Sequence, residues 1–327
     1  MELHKHPYHF KKNIHYISNL LNIQSSYVER DYWQTFTLYL IQQDSLSEDI
    51  IVKGGIALSK CFKFIKRTPE DIDFVVARKK GKTDSRLKSK LKRIGSILWK
   101  ELPEIQIEGL TRKMGMNRKT AHSYWKPNDE NFCPENNLVT IDYSWLGESD
   151  PHSKYSFNSL IGDALEETDQ KATINQYQLF PFEMNVLDPF RTFCEKIMSL
   201  VRFSYSDDPI INLSKKLKHV YDLYHLLQYE KFQHSLQSED FFKMLLNVAN
   251  RDAKSFRNNY HWLKYHPADS LFFHKLNENW NIHFSQVYNR KFSLFESSQL
   301  PPDYLILETL NLIKNRLNSL PWDITFL

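Results

Sequence analysis

Val52-Lys53-Gly54-Gly55-Ile56-Ala57-Leu58, followed after a short apolar run by Arg67-Thr68-Pro69-Glu70-Asp71-Ile72-Asp73-Phe74-Val75-Val76, decides how this chain is read. The chain has only 8 glycines, so two side by side ahead of a helix-like run mark a place where bare backbone is required. A Gly-Gly turn opening a helix aims unpaired N–H groups and the positive helix end at one point, which suits the phosphates of a nucleotide. Asp71 and Asp73 then alternate with Ile72 and Phe74, so on a strand both carboxylates face one side. Two such carboxylates beside a triphosphate invite Mg²⁺ or Mn²⁺.

Working outward, two helices are expected at about 8–22 and 27–44, the second capped by Ser25 or Ser26. A helix following Gly55 leads to the 71–76 strand and then to a helix at 83–99. Strands are expected at Ile105–Leu110, Arg118–Trp125 and Leu138–Trp145, giving a small mixed sheet with flanking helices. Beyond Pro181 the periodicity is helical almost throughout, at about 189–204, 213–229, 238–252, 268–288 and 302–319. The expected fold is therefore α+β: a domain over 1–185 and an all-α domain over 186–327, both of ordinary size.

A hydrophobic content of 41% is that of a folded protein, and no apolar run approaches the roughly 20 residues of a membrane span. The N-terminal residues lack the apolar core of a signal peptide, so cytoplasmic residence is the expectation. Cys61, Cys133 and Cys194 are too widely spaced for a Cys-x-x-Cys metal site. His4, His6 and His9 lie in a terminus expected to fray, and His261, His266 and His274 have no Cys or carboxylate at ligand spacing. The sequence has no Gly-x-Ser-x-Gly elbow, P-loop or Gly-x-Gly-x-x-Gly, which sets hydrolases, P-loop NTPases and Rossmann dehydrogenases aside.

The formal charge of +4 is unevenly spread: Arg78 to Lys100 holds ten basic residues and one acid, Asp84. Arg78, Lys79, Lys80, Lys82, Arg86, Lys90 and Arg93 are the candidate RNA contacts in that run. A solvated amphipathic helix with Leu87, Leu91, Ile94 and Leu98 inward explains the same residues equally well.

Phosphoryl transfer with two metal ions calls for a third carboxylate on a neighbouring strand. Asp142, within Val139-Thr140-Ile141-Asp142-Tyr143, fits as a metal ligand that helps take the proton of an incoming hydroxyl. A strand-end carboxylate bonded to local backbone is the plainer alternative. Arg67 could clamp phosphate oxygens, fix Glu70, or form a structural ion pair. Lys196, on an otherwise apolar helix, needs a partner, and Asp222 on the next helix supplies one; on composition that pair is structural.

Several segments, in order, resemble the AbiEii/AbiGii family of nucleotidyltransferase-like toxins in the polymerase-beta-like superfamily. They are Glu29-Arg30-Asp31-Tyr32-Trp33, Lys53 to Lys60, Arg67 to Phe74, Cys194-Glu195-Lys196-Ile197 and Lys218-His219-Val220-Tyr221-Asp222-Leu223. The resemblance implies a pyrophosphate-releasing nucleotidyltransferase that uses an NTP and Mg²⁺, with nucleotide contacts from Lys53, Gly54, Gly55, Ser59 and Arg67. It implies catalytic roles for Lys196 and Asp222 in the pocket of Asp71, Asp73 and Asp142. It also implies transfer to the 3′ end of tRNA, a cognate antitoxin and a place in toxin–antitoxin or phage abortive-infection systems. Three departures from the family pattern are Ile56 for a hydroxyl residue, Thr68-Pro69 for Phe-Ser and Lys218-His219 for Arg-Asp. Those departures motivate alternatives: a nucleotide-binding regulator that no longer turns over, or transfer to protein or a small molecule. A scaffold displaying Tyr260, Trp262, Phe272 and Phe273 is the third possibility.

Overall fold

The computed structural model describes residues 1–78, 83–124, 137–146, 149–255, 260–292 and 300–322, grouped into two units. Unit 1 comprises Met1–Lys63 and Arg67–Leu187; unit 2 comprises Phe64–Lys66 and Asp188–Leu327.

Unit 1 begins with Pro7–Leu21 (α1) and Ser25–Gln42 (α2). Pro7 sits in the first turn of α1, where a missing N–H forfeits no helical bond. The expected serine cap of α2 is not formed: Gln24 is the N-cap, in extended backbone, and the Ser25 hydroxyl lies 3.3 Å from His15 Nδ1. Nor does the N-terminus fray. His4 Nδ1 lies 2.8 Å from the Tyr32 hydroxyl, and its ring stands 4.4 Å from that of Phe36. Burial among these rings pushes the His4 pKa down to about 4, so the imidazole is neutral near pH 7.

Ile50–Lys53 (β1), Gly54–Lys60 (α3), Asp71–Val76 (β2) and Asp84–Leu98 (α4) follow. Glu104–Ile105 (β3), Arg112–Met114 (β4), Asn117–Ser123 (β5), Leu138–Ser144 (β6) and His152–Phe157 (β7) come next. Leu160–Glu167 (α5), Lys171–Tyr177 (α6) and Phe182–Leu187 (β8) complete the unit. The strands form one mixed sheet in the order β3-β5-β6-β2-β1-β8-β7, with β4 on the outer side of β5. The α+β class expected from the sequence is therefore observed, although β1, β4, β7 and β8 enlarge the small sheet that was expected. The strand expected over Ile105–Leu110 stops at Ile105. Gly109 at φ +73 lets the chain turn, and the N–H groups of Leu110 and Thr111 donate to Ile107 O at 3.2 and 2.9 Å.

Strand alternation sorts the two faces of the sheet. Ile72, Phe74, Val76, Val139, Ile141 and Tyr143 join Leu87, Leu91, Ile94 and Leu98 of α4 and the apolar side of α1 and α2 in one core cluster. Each such side chain, fully buried, stabilises the fold by about 1.5–3 kcal/mol. Asp71, Asp73, Thr140 and Asp142 alternate with these residues and so project from the opposite face. The buried Asp31 carboxylate links three helices, accepting from Lys60 Nζ of α3 and, at 2.7 Å, from Leu160 N of α5.

Unit 2 contains Pro189–Phe203 (α7), Pro209–Ser214 (α8), Leu217–Leu226 (α9), Glu230–Gln237 (α10) and Glu239–Ser255 (α11). Leu271–His274 (α12), Leu276–Asn279 (α13), Ser285–Phe292 (α14) and Asp303–Asn318 (α15) follow. The Asp188 carboxylate caps α7, accepting from Phe190 N at 2.8 Å. The helix expected over 268–288 is a series of short pieces: Asn279 Nδ2 donates to Leu271 O at 2.7 Å, and a π-helical turn at Trp280–Phe284 sinks Trp280 fully into the core. Likewise the helix expected over 213–229 starts at Leu217, after α8. Trp262, Phe272 and Phe273 are buried, which removes the apolar patch proposed for a scaffold.

Candidate active site

β1 ends at Lys53 and the chain turns sharply into α3. Gly54 makes that turn at φ +72, a conformation open to glycine at little strain. The absence of a side chain matters equally: a Cβ on Gly54 would stand 2.7 Å from Asp73 Oδ2, and one on Gly55 would stand 3.0 Å from Arg67 Nη2. The two glycines thus let a carboxylate and a buried guanidinium approach the backbone at the start of α3. Ser59 is half-buried further along α3. Ile56, the residue in place of a hydroxyl, is packed in the hydrophobic core and so changes little on the carboxylate face. The Thr68-Pro69 departure is held from α2, whose buried Gln34 donates through Nε2 to Pro69 O at 2.8 Å.

The parallel pairing of β2 with β6 sets Asp71 beside Thr140 and Asp73 beside Asp142. All three acids expected from the sequence therefore lie on one face, with Asp73 and Asp142 on strands roughly 4.8 Å apart. Like charges placed opposite each other destabilise a sheet, so this register calls for compensating cations. Continuing across the sheet, Lys53 opposes Asp73, Lys119 opposes Asp142, and Arg112 opposes Lys119. One transverse row thus reads Lys53, Asp73, Asp142, Lys119, Arg112. Lys119 Nζ donates to Asp71 Oδ2 at 3.0 Å, and Arg112 Nη2 donates to Asp142 Oδ2 at 3.4 Å. The Thr140 hydroxyl bonds Asp71 Oδ1 at 2.6 Å and lies 3.1 Å from Glu70 O, fixing the carboxylate's rotation.

Among the described residues no three Asp, Glu, His or Cys side chains converge closely enough to hold a metal ion as they stand. The donor chemistry nevertheless fits a hard divalent cation: three half-buried carboxylates on one face, one oriented by a hydroxyl and one pressed against a glycine. Asp71, Asp73 and Asp142 are the residues that would hold it.

In unit 2, Lys196 Nζ of α7 and Asp222 Oδ2 of α9 form a buried ion pair at 2.7 Å. Beside it, Glu195 accepts from Arg191 Nε at 3.2 Å, and Arg191 Nη1 reaches Asn247 Oδ1 at 2.9 Å. The basic residues of α4 lie on the core side of the sheet, across it from the carboxylates. Arg78 pairs with Asp84, Lys90 with Asp49 and Arg93 with Asp44, while Arg86 is exposed. Lys79, Lys80 and Lys82 lie outside the described residues. Lys119, Arg112, Thr140 and Gln34 had no motif to announce them. The one sequence signal among them is the alternation of β6, which puts Thr140 on the same side as Asp142.

The fold and this geometry can be set beside known proteins. A family model described as the nucleotidyl transferase AbiEii toxin, type IV toxin–antitoxin system, matches residues 37–301. A solved structure of MenT4, a nucleotidyltransferase toxin from Mycobacterium tuberculosis H37Rv, superposes with a TM-score of 0.57 at 12% identity, covering 94% of this chain and 90% of that one. At that identity the likeness is one of fold. No curated protein matches the chain in sequence.

Proposed function

The chain belongs to the AbiEii nucleotidyl transferase toxin family of type IV toxin–antitoxin systems, and from that premise we propose that it moves a nucleoside monophosphate from an NTP to an RNA, the 3′ end of tRNA. Family membership makes it a nucleotidyltransferase with an NTP substrate and implies an antitoxin partner. The acceptor, the use of Mg²⁺ and a role in phage defence by abortive infection are our reading.

The observation that carries the proposal is the register of Asp73 with Asp142, beside Asp71 and against the bare backbone of Gly54. Bound at these acids, a divalent cation supplies Lewis-acid charge to phosphoryl oxygens. The protein's share is positional. Lys53, Gly54, Gly55, Ser59 and Arg67 hold the triphosphate on the β1 side, while Asp71, whose rotation Thr140 restricts, and Asp73 present their oxygens to the cation. Asp142, on the next strand, takes the proton of the attacking hydroxyl in this reading. Lys196 and Asp222 enter the proposal on the sequence resemblance alone.

Incubating the purified chain with each labelled NTP, Mg²⁺ and total tRNA tests the reading. Label at the RNA 3′ end, lost in Asp73→Asn, is expected. Label confined to protein or to a small molecule would reassign the acceptor. In cells, expression should arrest growth and the same substitution should relieve it; equal arrest by both chains would favour a regulator that does not turn over.

A further inference from the structure

We infer that the acceptor's backbone phosphates are gripped by Arg112 and Lys119 on the β4–β5 hairpin, and not by the basic helix α4. The inference rests on transfer to RNA and names the surface that RNA would use.

The transverse row is sorted by sign. Arg112 and Lys119 are directly opposed, as are Asp142 and Asp73, so each sign has its own neighbour of like charge. Each such adjacency is unfavourable, and alternating the signs would suit folding better. Segregation suits two different ligands instead: cations at the carboxylates and an anion at the hairpin.

The order of the row says which anion. Lys53 and Gly54 lie on one side of the acids and Lys119 and Arg112 on the other. In phosphoryl transfer the attacking and leaving oxygens lie in line on opposite sides of the phosphorus. A triphosphate on the Gly54 side therefore leaves the hairpin side for the attacking hydroxyl and the chain that carries it. Arg112 sits two strand spacings from Asp142, roughly 10 Å. Its guanidinium spans that separation to reach Asp142 Oδ2 at 3.4 Å, and from the same backbone position it can swing outward to a phosphate upstream of the reacting end.

The hairpin is also accessible. Arg112 is 53% exposed at a sheet edge, with Met114 and Met116 exposed at the turn. Helix α4 is exposed but wrongly placed: its apolar side packs into the core cluster on the other face of the sheet from the carboxylates, and Lys90 and Arg93 are held by Asp49 and Asp44. Lys119 and Arg112 now rest on Asp71 and Asp142 through single contacts of 3.0 and 3.4 Å, which a phosphate offering charge-assisted bonds could replace.

The experiment uses the full chain and total tRNA in filter binding across a salt series, with Arg112→Gln, Arg112→Lys, and the helix variant Arg86→Gln/Arg93→Gln. Arg112→Gln should weaken RNA binding about 5–10-fold and flatten log K against log salt by about 0.7–0.9, one phosphate contact. Arg112→Lys should restore the slope, and NTP binding by Arg112→Gln should match wild type. The helix variant should bind RNA like wild type. Wild-type RNA binding by Arg112→Gln, or an equal loss in the helix variant, overturns the inference. Labelling of protein or a small molecule in place of RNA counts against the proposed acceptor, whereas the hairpin's grip is read from binding alone, so the two failures are distinct.

Discussion

Two clusters of opposite charge invite comparison: the half-buried row around Asp73 in unit 1 and the closed Lys196–Asp222 pair in unit 2. In the first, Asp71, Asp73 and Asp142 are each within reach of solvent, with Lys119 at 3.0 Å from Asp71 and Arg112 at 3.4 Å from Asp142. In the second, one ammonium meets one carboxylate at 2.7 Å with the acid wholly buried. Asp73 can exchange partners with little desolvation, whereas either member of the buried pair, left alone, is a charge without water. Accessible like charges mark a place prepared for ligands. A buried matched pair is equally compatible with a fold requirement and with chemistry, and only substitution separates them.

The largest effect should come from unit 2. Lys196→Met or Asp222→Leu alone should lower stability by about 3–5 kcal/mol in denaturant melts, and the double variant should recover most of it. Wild-type turnover in the double variant would reduce the pair to packing; a stable but inert one would give it a part in the reaction. Next comes Asp73→Asn, expected to slow transfer about 10²–10³-fold while the melting temperature holds or rises slightly, because a like-charge neighbour is gone. Unchanged turnover would break the comparison at its first member. Gly54→Ala should cost about 1–2 kcal/mol from its φ of +72, and should cut activity further by displacing Asp73. Gly95→Ala in α4, where the new Cβ meets ordinary space, should instead stabilise by about 0.5–1 kcal/mol. The smallest effect is Thr140→Val, about 0.5–1.5 kcal/mol from the lost hydroxyl, with a loss of rate well short of that in Asp73→Asn.

What was legible beforehand follows from range. The alternation of Asp71 with Ile72 and of Asp142 with Ile141 is local, so the strands and their outward acids could be read directly. Their cross-strand partners could not. Register is set by strand order, and nothing near Lys119 in the chain says that it opposes Asp142, or that Arg112 opposes Lys119. β7 was missed because its residues are polar and mostly exposed, so no buried face alternates. β8 was missed because it runs directly into α7. In unit 2 the apolar spacing over 268–288 is real, but Trp280 takes it into the core through a π-helical turn that spacing alone does not distinguish from continuous helix.

The position of β1 between β2 and β8 has a consequence for synthesis. Ile51 pairs with Asn185, and Asp31 accepts from Leu160 N, so the strand that leads to Gly54 lacks one neighbour until the ribosome has moved some 130 residues on. At roughly 5–20 residues per second that delay is about 7–27 s. A nascent chain shorter than β8 can pair β2 with β6 and so align the acids, but it leaves one edge of β1, the strand that sets the glycine turn, uncovered.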